Sequence, residues 1–208
     1  MTTPVDTAWL PLFPLHTVLF PDGVLPLRIF ETRYIDMVRE CMRLDKPFGV
    51  VAIREGSETG SAAEPEAVGC IARIVEWDME VGGLLMIRTE GGARFRVETT
   101  RVLADNRLEA QVRYLPGDPL LAPDTAHVEC AKTLKLVADD FAQREAKDKE
   151  FAFPFARPLR FDDAGWVANR WCEILPIPLN ARQKLLEVDD PELRLSVIYS
   201  YLQQQEIL

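Results

Sequence analysis

The side chains able to do chemistry are few and far apart. Two histidines are present, His16 and His127. His16 sits in a Leu15-His16-Thr17 turn and His127 in the first turn of a helix, and neither has a histidine or cysteine nearby at zinc-ligand spacing. A hydrolase needs a nucleophile, a base and an orienting group, yet the chain has no GxSxG and no serine at a sharp strand-to-helix elbow. The phosphate-cradling patterns GxxxxGK[ST] and GxGxxG are also missing. Paired carboxylates, as used by glycosidases and metal enzymes, occur at Asp139-Asp140, Asp162-Asp163 and Asp189-Asp190. The second and third pairs stand where helix caps belong and the first lies inside a helical run, so all three read as structural. Lys135 and Lys184 are solitary and read as solvated. The expectation is no catalytic residue, no metal and no cofactor.

Surface that binds is the remaining possibility. An unfolded segment offers apolar side chains and unpaired backbone, so its receptor needs an apolar groove or an open strand edge. Two stretches qualify. The proline-rich turn around Phe20, Pro21 and Val24 is unable to pair fully, and the hairpin from Trp77 to Met86 places Trp77, Met79, Val81 and Met86 near a turn, where burial is least assured. Burial in the core competes with exposure, more for Trp77 than for Met79, whose thioether adapts to varied partners. A third aromatic stretch, Phe151, Phe153, Pro154 and Phe155, is expected to be hinge packing between lobes.

Composition narrows the partners. The 208 residues are 48% apolar and 27% charged, enough for one large core or two smaller ones. A net charge of −9, from 33 acidic and 24 basic side chains, opposes phosphate backbones, so no nucleic acid is expected. Cys41, Cys70, Cys130 and Cys172 lie 29 to 60 residues apart without a CxxC, as befits reduced, buried thiols. The start MTTPVDTAW has no basic-then-apolar pattern, and no run of about 18 apolar residues occurs. A cytoplasmic protein without membrane contact is expected.

The elements that must carry these residues follow from periodicity. Leu10 to Phe30 holds Pro11, Pro14, Pro21 and Pro26 among apolar residues, which predicts short, edge-like strands broken at Pro21-Asp22-Gly23. From Glu31 to about residue 45 the period is helical, with Phe30, Tyr34, Met37/Val38 and Cys41/Met42 on one face and Arg33 among the polar residues between them. Phe48–Ile53 reads as a strand buried on both faces. Residues 54–67 lack periodicity and predict a mobile surface loop. Strands follow to Tyr114, with turns at Gly82-Gly83 and Gly91-Gly92. Pro116-Gly117-Asp118-Pro119 marks a boundary between a β-rich lobe, 1–118, and a helical bundle, 119–208. In the bundle, Asp124, Asp162 or Asp163, and Asp190 cap helices, and the last one carries Leu193, Val197 and Tyr201 on its apolar stripe.

The run PLFPL…VLFPDGVLPLRIFETRY…MV resembles the opening of the Lon protease amino-terminal domain, a substrate-binding domain that also occurs free-standing and, diverged, in cereblon. Phe48-Gly49-Val50-Val51, Val68-Gly69-Cys70-Ile71-Ala72, Arg94-Phe95-Arg96-Val97 and Leu175-Pro176-Ile177-Pro178-Leu179 through Arg194-Leu195 resemble later landmarks of that family in order. Thr32 stands where the family often has proline, and Asp22 extends its Pro-Gly turn. The resemblance implies an α+β fold with a curled, barrel-like (PUA-like), mainly antiparallel sheet lobe followed by a helical bundle. It implies a non-catalytic module that binds exposed segments of unfolded or damaged polypeptides, with an ATP-dependent protease as a further partner. The rival readings are a small-ligand or RNA-binding module on such a sheet, and a peptidase.

Overall fold

The structure is a computed structural model that describes residues 9–80 and 82–208. The chain divides between Pro116 and Gly117 into two compact units. The first holds strands β1 (Leu10–Leu15), β2 (Val24–Ile29), β3 (Phe48–Glu55), β4 (Glu64–Met79), β5 (Leu85–Val102) and β6 (Leu108–Tyr114), with helix α1 (Thr32–Leu44) between β2 and β3. The second holds α2 (Val128–Lys147), α3 (Ala164–Ile174), α4 (Leu179–Glu187) and α5 (Pro191–Gln204). The class is α+β.

In the first unit the strands run β2-β5-β4-β3-β1-β6, and a further β5–β6 pairing closes five of them into a ring. Every pairing is antiparallel except β1 with β3. Closure depends on β5, which is 18 residues long. Its first part pairs with β2 and β4 and its second part with β6. Each ring strand sends side chains to one cluster: Leu12 from β1, Val51 from β3, Ile71 from β4, Phe95 from β5, and Leu108 with Ala110 from β6. A second core lies beneath α1, where Tyr34, Met37, Val38 and Cys41 meet Phe13, Phe48, Leu85 and Ile87.

Several sequence expectations change here. β1 is not an edge strand despite Pro11 and Pro14, because β6 covers only Leu10–Leu12 of it and β3 only Leu12–Leu15. Each proline therefore has one free flank for its donorless nitrogen. The helical face of α1 includes Arg33, which is buried, whereas Phe30 lies outside the helix with 67% of its surface exposed. β3 and β4 extend into the predicted loop and leave only eight residues, 56–63, between them. Gly91-Gly92 is no turn, since both lie within β5. A Cβ on Gly91 would come within 2.0 Å of the Phe20 carbonyl oxygen, because the β1–β2 connection crosses β5 there. The Gly91 N–H donates to Gly23 at 2.8 Å, and its carbonyl accepts from Asp22 at 2.9 Å. Glycine is needed for close approach, and paired glycines in the sequence resemble a turn.

In the second unit, Asp163 and Asp190 cap their helices as expected, each accepting two backbone N–H groups, with Pro191 opening α5. The stripe of α5 is displaced by one residue from the sequence expectation. Arg194, Leu195, Ile198 and Leu202 are buried, and Leu193 and Val197 face solvent. The displacement arises from Arg194, which is 1% exposed. Its Nε donates to Leu185 O (3.2 Å), Nη1 to Asp118 Oδ2 (2.7 Å) and Asn169 Oδ1 (2.9 Å), and Nη2 to Asp118 Oδ1 (3.2 Å) and Val188 O (2.6 Å). All its N–H donors are satisfied, which is what burial of a guanidinium requires. Phe153 and Phe155 are buried within this unit against Phe141 and Trp166, with ring centroids 5.7 to 6.0 Å apart.

Two stability outcomes follow. Gly91→Ala should lower unfolding free energy by about 3 kcal/mol, since the colliding atom is backbone and relaxes poorly. Arg194→Leu should cost about 3–5 kcal/mol by leaving Asp118 without its buried partner. Urea titrations followed by tryptophan fluorescence measure both, and a loss below about 1 kcal/mol in either would contradict the assigned role.

Candidate functional site

The site begins with a mismatch in strand length. β3 pairs with β4 only as far as Phe48 opposite Ala72. Beyond that, residues 73–79 of β4 pair, among the described residues, with β5 alone, from Arg73–Glu90 to Met79–Leu85. One edge of this stretch is therefore open, and an open edge presents unpaired backbone groups. The end of α1 fixes where β3 begins. Asp45 takes a left-handed conformation (φ 51°), its N–H returns to Met42 at 3.3 Å, and the Lys46 N–H returns to Cys41 at 2.9 Å. Pro47 then prevents the helix from continuing, and β3 starts at Phe48.

Between this helix end and the free stretch of β4 runs a groove of about 500 Å³. Met42, Pro47, Ile74, Val75 and Trp77 give it apolar walls, and Asp45, Lys46 and Arg73 give it charge. Trp77 is 62% exposed and Val75 is 44% exposed, although both are types that favour burial. A cleft of about 350 Å³ lies on the other side of the same turn and shares Cys41, Lys46 and Pro47 with the groove. Its walls include Trp9, Leu44, Val112 and the exposed Tyr114. The cleft differs from the groove in carrying two carboxylates, Glu40 and Glu109.

A third cleft, about 330 Å³, follows β2. β2 pairs with β5 alone among the described strands, but Pro26 removes a donor mid-strand and Arg28 stands exposed, so this edge is blunted. The 56–63 connection is tied down beside it. The His16 N–H donates to Glu58 Oε1 at 2.6 Å, and Arg33 Nη2 donates to Glu58 O at 3.4 Å while Nη1 donates to Asn106 O at 2.9 Å. Arg33 lies over Tyr34, 4.6 Å from the ring centre, and Tyr34 stacks on Phe13 at 4.2 Å. Burial raises the Tyr34 phenol above its usual value, and charges on Glu31, Glu58 and Asp105 add to the shift against the opposing pull of Arg33.

The residues nominated from sequence are thus dispersed. Trp77 walls the groove, and Met79 lies farther along the same strand with 38% exposure, so the expected order of exposure is reversed. Met86 is half-buried on β5, opposite Asp78 and Arg28. Val81 lies outside the described residues. Phe20 is 1% exposed and offers no surface, and with the half-buried Pro21 and Val24 it lines none of these three clefts. Sequence reasoning missed Met42, Lys46, Pro47, Arg73 and Val75. The helix-ending Lys-Pro step and the β-branched alternation around Val75 carried the signal, but their juxtaposition depends on where β3 stops.

One constellation in the second unit has the outline of a hydrolase. Asp124 Oδ1 is 2.7 Å from His127 Nδ1, and His127 Nε2 is 3.2 Å from Ser196 Oγ. Ser196 lies in the interior of α5 and donates its hydroxyl to Glu192 O at 2.9 Å. The N–H groups around it are committed to the helix, so a developing oxyanion would meet no donors there. The contact ties the start of α2 to α5, and the His127 backbone N–H holds the Asp124 carboxyl below its usual range. Among the described residues no cluster of histidine, cysteine or carboxylate suits a metal, and no helix is long and apolar enough to cross a membrane.

A family model described as the ATP-dependent protease La (LON) substrate-binding domain matches residues 9–204. The chain belongs to this family. Among similar LON-domain proteins of known structure is a Lon N-terminal domain protein from Xanthomonas campestris, 34% identical, with a TM-score of 0.74 over 93% of this chain and 98% of that one. The N-terminal domain of a Mycobacterium avium complex Lon protease shares the fold at 18% identity, with a TM-score of 0.64. Lon protease 2 of Myxococcus xanthus is 27% identical over 96% of this chain, and protein cereblon of Danio rerio is 28% identical over 65% of it. The chain spans about a quarter of the length of the Lon proteases that it matches, 24% for the Myxococcus protein. The matched part is a substrate-binding domain.

The thiols give a pH outcome. Burial pushes Cys41 and Cys130 from 9.0 up to about 11, and Cys172 up to about 12. Below pH 9 both folded and unfolded thiols keep their protons and this stability is fully present. Above it the unfolded chain loses protons that the folded chain retains, so stability falls as pH rises from about 9 through about 11 to 12. Urea midpoints should drop between pH 8 and pH 10.5, less steeply in Cys172→Ala, and an unchanged midpoint would contradict the assigned burial.

Proposed function

We propose that the sheet unit binds exposed apolar segments of unfolded or damaged polypeptides and performs no chemistry on them. The segment lies extended along residues 73–79 of β4, where main-chain hydrogen bonds give affinity, and sets apolar side chains against Trp77, Val75 and Met42. The observation that carries this reading is the coincidence of an open strand edge with an apolar groove, since either alone is common on protein surfaces. Membership of a substrate-binding family supports it. An ATP-dependent protease is the proposed working partner, by analogy with the Lon proteases whose amino-terminal part this chain resembles. The cytoplasm is the proposed compartment, in keeping with four cysteines that are all buried. The net charge of −9 disfavours RNA as ligand.

Trp77→Ala should weaken binding of a reduced, carboxymethylated model polypeptide about tenfold or more without shifting the urea midpoint, because the lost ring is exposed in the free protein. Phe30→Ala, at the β2 cleft, should leave binding unchanged. Fluorescence anisotropy checks both. Loss of binding in Phe30→Ala with retention in Trp77→Ala would transfer the site to β2.

A further inference from the structure

The groove beside β4 carries charge that its own protein does not neutralise. Lys46 and Arg73 line it, both are exposed, and neither side chain enters a hydrogen bond or ion pair among the described residues. The carboxylate in the same lining is Asp45, which leaves the groove one positive charge in excess in a chain whose net charge is −9. Glu90 faces Arg73 across the ladder without forming an ion pair with it. Two unsatisfied cations next to an exposed tryptophan and valine form an amphiphilic receptor. The protein's net acidic balance repels acidic segments in general, and these two cations oppose that repulsion locally.

Resting on the polypeptide-binding reading above, we infer that the groove selects extended segments in which an apolar residue adjoins an acidic side chain, with Lys46 and Arg73 receiving the carboxylate and Trp77 the apolar group. An acidic side chain fits better than a chain terminus. Capture of a terminal carboxylate typically uses a nest of backbone N–H groups, and at this turn the N–H groups of Asp45 and Lys46 already return to Met42 and Cys41. Glutamate or aspartate needs only side-chain donors. In an extended segment, neighbouring residues project to opposite faces, so one reaches the cations at the turn while the next lies along the β4 wall.

The test uses the full chain and four neutral-dye-labelled peptides of one extended, leucine- and valine-rich sequence. Three are acetylated and amidated, with glutamate, glutamine or lysine at the same two positions, and the fourth is the glutamine peptide with a free terminal carboxylate. At low ionic strength the glutamate peptide should bind about tenfold more tightly than the glutamine peptide, with the lysine peptide weakest, and high salt should compress the series. Lys46→Gln with Arg73→Gln should abolish the preference for the glutamate peptide over the glutamine peptide, and Trp77→Ala should weaken all four. Equal binding of the first three, or a preference that survives the double substitution, would overturn the inference while leaving polypeptide binding intact. Preference for the fourth peptide alone would overturn it in favour of a chain terminus. Self-association abolished by Trp77→Ala would overturn it in favour of a second copy as occupant. Absence of binding by every peptide would refute the underlying polypeptide-binding reading itself.

Discussion

Unequal strand lengths govern the first unit. β4 and β5 have 16 and 18 residues, whereas β1, β3 and β6 have six to eight. Only a strand as long as β5 is able to pair with β2 and β4 and still reach β6, so the ring closes through it. The same excess makes β4 outrun β3 and leaves a free edge at the far end. Closure of the ring and creation of the open β4 edge are therefore two results of one constraint. Closing a sheet removes edges in general, and here one of the stretches still paired on a single side, residues 73–79 of β4, lies beside the groove.

The end of α1 turns that edge into a groove. A left-handed Asp45 and the following Pro47 stop the helix and start β3 at Phe48, which places Met42, Lys46 and Pro47 across from Val75 and Trp77. The opposite end of the unit is finished differently. There β2 is blunted by Pro26 and Arg28, and the neighbouring connection is held by Glu58 on the His16 backbone and by Arg33. The β2 edge is guarded, whereas residues 73–79 of β4 are open with the exposed Trp77 among them. That asymmetry is the physical case for placing the ligand at β4.

Much of the architecture was legible because local signals agreed with tertiary demands. Phe48–Ile53 reads as doubly buried and is buried throughout. Asp163, Asp190 and Pro191 read as helix starts and form them. Illegible features were those in which a residue type acts against its average. Arg33 and Arg194 are buried charges that draw on partners remote in sequence, Asn106 for one and Asp118 for the other, in addition to nearer ones, and local periodicity does not see those remote partners. Gly91 serves an approaching backbone rather than a turn. For the candidate site, Trp77 was nominated through its nearness to a hairpin, whereas Lys46 and Arg73 were not nominated at all. Their meeting depends on strand register, which no single stretch of sequence encodes.

The central claim is that residues 73–79 of β4 form the open edge on which a polypeptide is laid. Amide hydrogen exchange of the protein alone and with a saturating unfolded polypeptide tests it most directly. The account predicts rapid exchange in fragments covering Arg73–Asp78 in the free protein and marked protection there on binding, with fragments covering Val24–Ile29 unchanged. Binding that protected β2 and left β4 exchanging freely would contradict it.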